Sequence, residues 1–170
     1  MTFMELAKER FSVRRFQDKE VPQEIIDRIL EAGHIAPTGC NNQPQRILVI
    51  KSEEGLAKLR KCTRCHFDAP LVFAVCFDKK ECWERPYDGK LSGDIDASIV
   101  TTHMMLEAAE QGIGSCWVMH FDPAKLREAF SLSDDLEPTA LLVMGYPAED
   151  AVPAPRHEEY RPLEEIVSYE

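Results

Sequence analysis

The sequence predicts an α+β protein, with a central sheet of about four to five strands flanked by helices. Three observations carry this. Short, largely apolar runs at Ile47–Ile50, Leu71–Phe77, Ser115–Met119 and Ala140–Met144 have the length of buried strands. Segments with helical spacing and helix-starting residues fall between them. No repeat, low-complexity tract or interdomain linker interrupts the order, so residues 1–170 are expected to form one domain.

Each element has its own local reason. Thr2 and Glu5 have capping-box spacing, so a first helix is predicted from Thr2 or Phe3 to about Glu9, with Phe3, Leu6 and Ala7 on one face. Pro22 suits the first turn of a second helix, which carries Ile25, Ile26, Ile29 and Leu30 at helical spacing and stops at Gly33. Ala36–Pro44 is rich in breakers and reads as a loop. Ser52 can cap a helix that carries Leu56 and Leu59.

Asp78–Gly93 has no clear periodicity, and connections of this length are often lids or binding loops. Asp94–Gln111 is the longest helical pattern. Apolar and small residues cover most of its circumference, which predicts burial on all sides. Gly112 and Gly114 end it. Asp122 and Pro123 fit the cap and first position of a helix to about Phe130. Beyond Gly145-Tyr146-Pro147, further prolines at 153, 155 and 162 exclude regular structure over most of the tail, which is expected to wrap over a surface.

The whole chain sets outer bounds. A formal net charge of −10 argues against nucleic acid as the main partner. The composition, 44% hydrophobic and 29% charged, is that of an ordinary globular protein. No apolar run approaches the roughly 20 residues of a membrane span. Met1–Glu5 lacks the basic and apolar regions of a signal peptide. A cytoplasmic protein without membrane contact is expected, with its six cysteines as reduced thiols.

Against that acidic background, Arg10-Phe11-Ser12-Val13-Arg14-Arg15-Phe16 stands out. Guanidinium forks match phosphate or carboxylate oxygens two at a time, and Ser12 adds a hydroxyl donor. In an extended segment Arg10, Ser12 and Arg14 point one way and Val13 the other. The pattern suits a phosphate clamp and, equally, a solvated turn whose arginines pair with nearby carboxylates. In Pro37-Thr38-Gly39-Cys40-Asn41-Asn42-Gln43, the amides suit the edge of a polar heterocycle and Gly39 admits close backbone approach. The same residues could be a simple connection.

Gly112-Ile113-Gly114-Ser115-Cys116-Trp117 is not a dinucleotide fingerprint, because it follows a helix and leads into a strand. Cys62-Thr63-Arg64-Cys65-His66 can bind metal or cycle as a dithiol. A structural zinc needs four ligands, and no second Cys-x-x-Cys or His pair exists, so ordinary thiols are favoured over a metal-binding module. His103 reads as core or surface. His120 is the better candidate acid, since it abuts a predicted strand.

In this combination and order the chain resembles the nitroreductase family of FMN-dependent oxidoreductases. The matching residues are Arg10-x-Ser12-x-Arg14-x-Phe16, Ala36-Pro37-Thr38 with Asn41-x-Gln43-Pro44, Gly112–Trp117 after the long helix, Gly145-Tyr146-Pro147, and Arg161-Pro162-Leu163-Glu164-Glu165. The resemblance implies a domain-intertwined homodimer with FMN at the subunit interface. Arg10, Phe11, Ser12 and Arg14 would bind the phosphate and ribityl end. Pro37, Thr38 and Gly39 would reach the flavin of the partner subunit, with Asn41 and Gln43 near its ring system. Trp117, Val118 and Met119 would pass along the isoalloxazine, and Arg161 would add a late phosphate contact.

The implied activity is hydride transfer from NAD(P)H through the flavin to an electron-poor acceptor, such as a nitroaromatic or quinone, by a ping-pong mechanism. No side chain need act as nucleophile or obligatory base. A flavin carrier or redox sensor without turnover is the alternative. Some positions depart from the family pattern: Gln45 where Trp often follows Gln-Pro, Met119 and His120 where smaller residues are common, and Glu158-Glu159-Tyr160 ahead of Arg161.

Overall fold

The computed structural model describes residues 1–170, and its centre is the strand most clearly marked in the sequence. β1 (Gln45–Ile50), β2 (Leu71–Asp78), β3 (Gly114–Val118) and β4 (Leu136–Gly145) form one sheet in the order β1-β2-β4-β3. Every neighbouring pair is antiparallel. β2 and β4 lie inside and are covered on both faces, so their residues run apolar without alternation.

Successive side chains of β2 feed opposite cores. Leu71, Phe73, Val75 and Phe77 pack with Leu142 and Met144 under α2 (Gln23–His34) and α4 (Gly93–Glu110). Val72 and Ala74 pack with Leu141 and Val143 under α3 (Glu53–Leu59) and α5 (Pro123–Phe130). The architecture is therefore helices, sheet, helices.

The predicted caps form. At α1 (Phe3–Glu9), Thr2 Oγ1 accepts from the Glu5 N–H at 3.3 Å and Glu5 Oε2 accepts from the Thr2 N–H at 2.7 Å. Ser52 Oγ accepts from the Gly55 N–H at 3.1 Å. Asp122 Oδ1 accepts from the Ala124 and Lys125 N–H groups at 3.0 and 3.1 Å, with Pro123 first in α5. Each cap contributes on the order of 1 kcal/mol.

Other expectations change. Gly33 does not stop α2, which continues to His34; a Cβ at Gly33 would lie 2.7 Å from Met104 Cγ, so the glycine admits close packing of α2 on α4. β4 begins at Leu136, well before the Ala140 run. Pro138 is accommodated opposite Cys76, where the β2–β4 register shifts between Val75 and Cys76, a bulge that tolerates a residue without N–H. α1 buries none of its residues fully: Leu6 and Ala7 are half-buried, while Phe3 and Met4 stay exposed.

α4 is buried along Ala97, Val100, Thr101, Met104 and Ala108, but Ile95 is 51% exposed and Thr102 is exposed. Burial on all sides is not reached within one chain. The tail also stays open: beyond Pro147 it forms short turns at Pro155–Glu158 and Leu163–Glu165 and is mostly exposed. Its docking to the body includes His157, edge-on to Phe11 at 6.2 Å and 3.3 Å from the Lys8 carbonyl oxygen. No helix is long and apolar enough to cross a membrane.

Candidate functional site

The arginine stretch is held by backbone. Arg10 leaves α1 in an extended conformation, with φ −62° and ψ 125°. Ser12 then forms a parallel bridge with Ser115 of β3, and the Val13 N–H donates to the Ser115 carbonyl at 2.9 Å. Val13 is buried, as the alternation predicts. Gly114 makes the approach possible: a Cβ there would lie 2.7 Å from Val13 Cγ2 and 3.0 Å from Pro147 Cγ. Phe16 bridges Pro147 in turn. The structure thus brings Arg10–Phe16, Gly114–Trp117 and Gly145–Pro147 into one place.

The three arginines differ in what they meet. Arg15 Nη1 pairs with Asp150 Oδ2 at 2.7 Å, as a solvated turn would have it. Arg10 and Arg14 have no carboxylate partner; the one bond of Arg14 runs from Nη1 to the Ser12 carbonyl at 3.4 Å. Both act on the Cys116 thiol. Burial raises that thiol, and Arg14, then Ser12 and Arg10, offset the rise only in part. Two guanidinium groups without carboxylate partners and a hydroxyl therefore share the extended segment that bridges the start of β3. On the face of β3 opposite Cys116, the Ser115 hydroxyl oxygen is buried without a partner. Arg10, with Glu9, Phe11, Val13, Gly114 and Ser115, lines a cavity of about 200 Å³ on the Val13 side of the segment, which Ser12 and Arg14 do not line.

At the far end of β3, Trp117 is half-buried, Val118 is buried and Met119 is 71% exposed. The Cys62–His66 segment docks against this exit. The Thr63 hydroxyl donates to the His120 carbonyl, and the Asp122 N–H donates to the Cys62 carbonyl at 2.8 Å. Cys62 is buried, its thiol pushed up mainly by burial and donating to the Lys58 carbonyl at 3.4 Å. Thr63, buried and polar, is a site-shaping residue that sequence reasoning missed, since nothing local to Cys-x-x-Cys signals a bond to residue 120.

The Pro37–Gln43 loop is built differently. Cys40, Asn41 and Gln43 take left-handed φ values of 50°, 55° and 51° although none is glycine. The Asn41 N–H donates to the Thr38 carbonyl at 3.0 Å and the Gln43 N–H to Thr38 Oγ1 at 3.1 Å. The Gln43 side-chain amide donates to the Asn41 carbonyl at 3.2 Å, so one of its expected contacts is already internal. Pro37, Asn41 and Gln43 are exposed, and Thr38 and Gly39 half-buried.

The loop is tied down at Gly39, whose N–H donates to Asp96 Oδ1 at 2.8 Å. Asp96 was also missed in the sequence, where an acid in a first helical turn reads simply as a partner of the helix dipole.

Loop and clamp lie at opposite ends of α4. Asp96 holds the loop, while Ala109 and Gly112 share the clamp's cavity. The helix between Asp96 and Ala109 spans roughly 20 Å at about 1.5 Å per residue. Arg161 is not joined to the clamp either; it is exposed and pairs with Glu165 at 3.7 Å.

Comparison with known proteins identifies the family. The profile of the Nitroreductase family matches residues 7–74 and 64–146. A nitroreductase family protein from Clostridium difficile 630 is 51% identical and superposes with a TM-score of 0.94, covering 100% of this chain and 99% of that one. A protein from Desulfovibrio desulfuricans, solved in complex with FMN, is 29% identical with a TM-score of 0.83, covering 98% and 95% of the two chains. A relative from Methanothermobacter thermautotrophicus, whose name joins NADH dehydrogenase and NAD(P)H nitroreductase, is 30% identical over 162 residues, 88% of this chain and 80% of its own. With the profile matched over most of its length and relatives at 30% and 51% identity, this chain belongs to the nitroreductase family.

Proposed function

We propose that the whole chain, residues 1–170, works as one FMN-binding unit in a cytoplasmic homodimer that passes hydride from NAD(P)H to a small electron-poor acceptor. The observation that carries the reading is the pair of unpartnered guanidinium groups, Arg10 and Arg14, flanking Ser12 in a chain of net charge −10. In an acidic protein, cations held together without carboxylates suit an anion from outside. The residues present fit the phosphate end of FMN: two guanidinium forks without carboxylate partners flank the Ser12 hydroxyl on one extended segment. The relative solved with FMN supports the cofactor, and the relative named for NAD(P)H supports the reductant.

Bound FMN would supply the hydride-transfer chemistry. The chain's part is to hold and orient it. Arg10 and Arg14 grip the phosphate and Ser12 adds a donor, with Phe11 alongside. Trp117, Val118 and Met119 carry the strand along the ring system. Met119 and His120 are exposed, so in the single chain neither closes that edge, which favours turnover over a sealed carrier. Reductant and acceptor then use one opening in turn, giving ping-pong kinetics. No side chain need act as nucleophile.

The second subunit follows from α4. Its open face, with Ile95, Ile99, Thr102 and His103, lines a groove of about 470 Å³. A two-fold axis across this face sets two copies of α4 antiparallel, which carries the Pro37–Gln43 loop of one chain toward the clamp of the other. Pro37, Thr38 and Gly39, with Asn41 and Gln43, then wall a flavin held by the partner's clamp. The open tail, with Leu163 and Ile166 exposed, reaches over the second copy and carries Arg161 with it.

The visible spectrum of the purified protein tests the reading. Flavin bands that bleach with NADH or NADPH are expected. No flavin spectrum, together with no uptake of FMN on titration, overturns it.

A further inference from the structure

We infer that Asp96 is a positioning residue for the flavin-facing loop, acting through the Gly39 backbone rather than on the flavin. The inference rests on the proposed flavin site and concerns a residue outside it. Asp96 is 2% exposed and its side chain meets no cation. A buried carboxylate is costly unless its oxygens are met by donors. Here one oxygen accepts the Gly39 N–H at 2.8 Å and the other accepts the Ser92 hydroxyl at 2.6 Å. Its neighbours along the buried face of α4, Ala97 and Val100, are apolar. Packing alone would be served at lower cost by another apolar residue, so the carboxylate marks what it holds.

What it holds is a loop under backbone strain. Cys40, Asn41 and Gln43 occupy left-handed conformations that persist only where their surroundings impose them. The bonds to Thr38 shape the loop internally, and the Gly39–Asp96 bond ties it to the body of the protein. A charged acceptor holds a backbone N–H more strongly than a neutral one. Released from Asp96, Pro37–Gln43 is free to relax, and a flavin in the partner's clamp loses one wall while its phosphate stays gripped. Asp96 therefore controls the ring environment rather than the phosphate end.

The test compares wild-type dimer with Asp96→Ala, Asp96→Asn and Ser92→Ala, reading FMN Kd, the visible circular dichroism of bound flavin, acceptor KM at saturating FMN, and apo-protein Tm. Asp96→Ala is expected to weaken FMN about tenfold, to change the dichroism and to raise acceptor KM. Asp96→Asn keeps an oxygen for Gly39 and is expected to return Kd to within about threefold of wild type. Should Asp96→Ala fail to fold, Ser92→Ala decides, with about threefold weaker FMN and a dichroism change of the same sign expected. A lowered Tm with unchanged Kd, dichroism and acceptor KM overturns the inference and leaves Asp96 a structural role. A wild-type protein that takes up no FMN overturns the flavin site itself and this inference with it, and that failure shows before any variant is made.

Discussion

The Arg10–Arg14 clamp and the Pro37–Gln43 loop are both short, irregular and polar, yet the fold holds them in opposite ways. The clamp has an ordinary extended backbone, bridged to β3 and sealed by Val13 against Gly114, while Arg10 and Arg14 are left without carboxylate partners. The loop has a strained left-handed backbone, while its polar groups are largely satisfied by one another and by Asp96. The difference separates two jobs. On the proposed reading, groups kept for a charged ligand stay free of carboxylates on a rigid support, and a wall that shapes a pocket is fixed in advance by using its own hydrogen bonds.

Substitutions can break this contrast. Arg10→Ala should weaken FMN binding by roughly 1.5–3 kcal/mol, the loss of a charge-assisted phosphate bond, in a fluorescence titration. Unchanged affinity would move the phosphate elsewhere. Gly114→Ala forces a Cβ against Val13 and Pro147 and should cost roughly 1–3 kcal/mol in urea unfolding, with weaker FMN because the clamp is displaced. Full stability in that variant would mean that the clamp is not seated on β3.

Ile95→Glu puts a charge on the open face of α4. It should shift sedimentation toward monomer and weaken FMN by about 1.4 kcal/mol, tenfold, as the partner's loop is lost. Monomer formation with unchanged affinity would mean that the loop is not part of the site. Arg15→Ala removes only an exposed pair with Asp150 and should change stability by about 0–1 kcal/mol, with FMN affinity as in wild type. A loss equal to that of Arg10→Ala would dissolve the distinction between paired and unpaired arginines.

Much of the clamp was legible in the sequence because its signals are local. Alternation placed Val13 inward and the arginines outward, and the capping box fixed where α1 begins. Which arginines stay unpaired was not legible, since Asp150 reaches Arg15 from the far side of the last strand. Gly33 looked like a helix stop because its reason, Met104, lies on another helix. The early part of β4 was hidden by Pro138, whose tolerance depends on a bulge in the opposing strand. Thr63 and Asp96 were missed for the same reason: each makes its defining bond to a segment far along the chain. Local chemistry reads well from sequence, and pairing across the fold does not.

On the proposed function, Arg10 and Arg14 are kept free for a phosphate. This is tested most directly by titrating FMN and riboflavin, which differ by that phosphate, into wild-type apo-protein and Arg10→Ala/Arg14→Ala. Wild type is expected to prefer FMN by at least about a hundredfold, as two charge-assisted contacts imply, and the double variant to lose nearly all of that preference. Equal binding of the two flavins by wild type, or a preference that survives loss of both arginines, would contradict it.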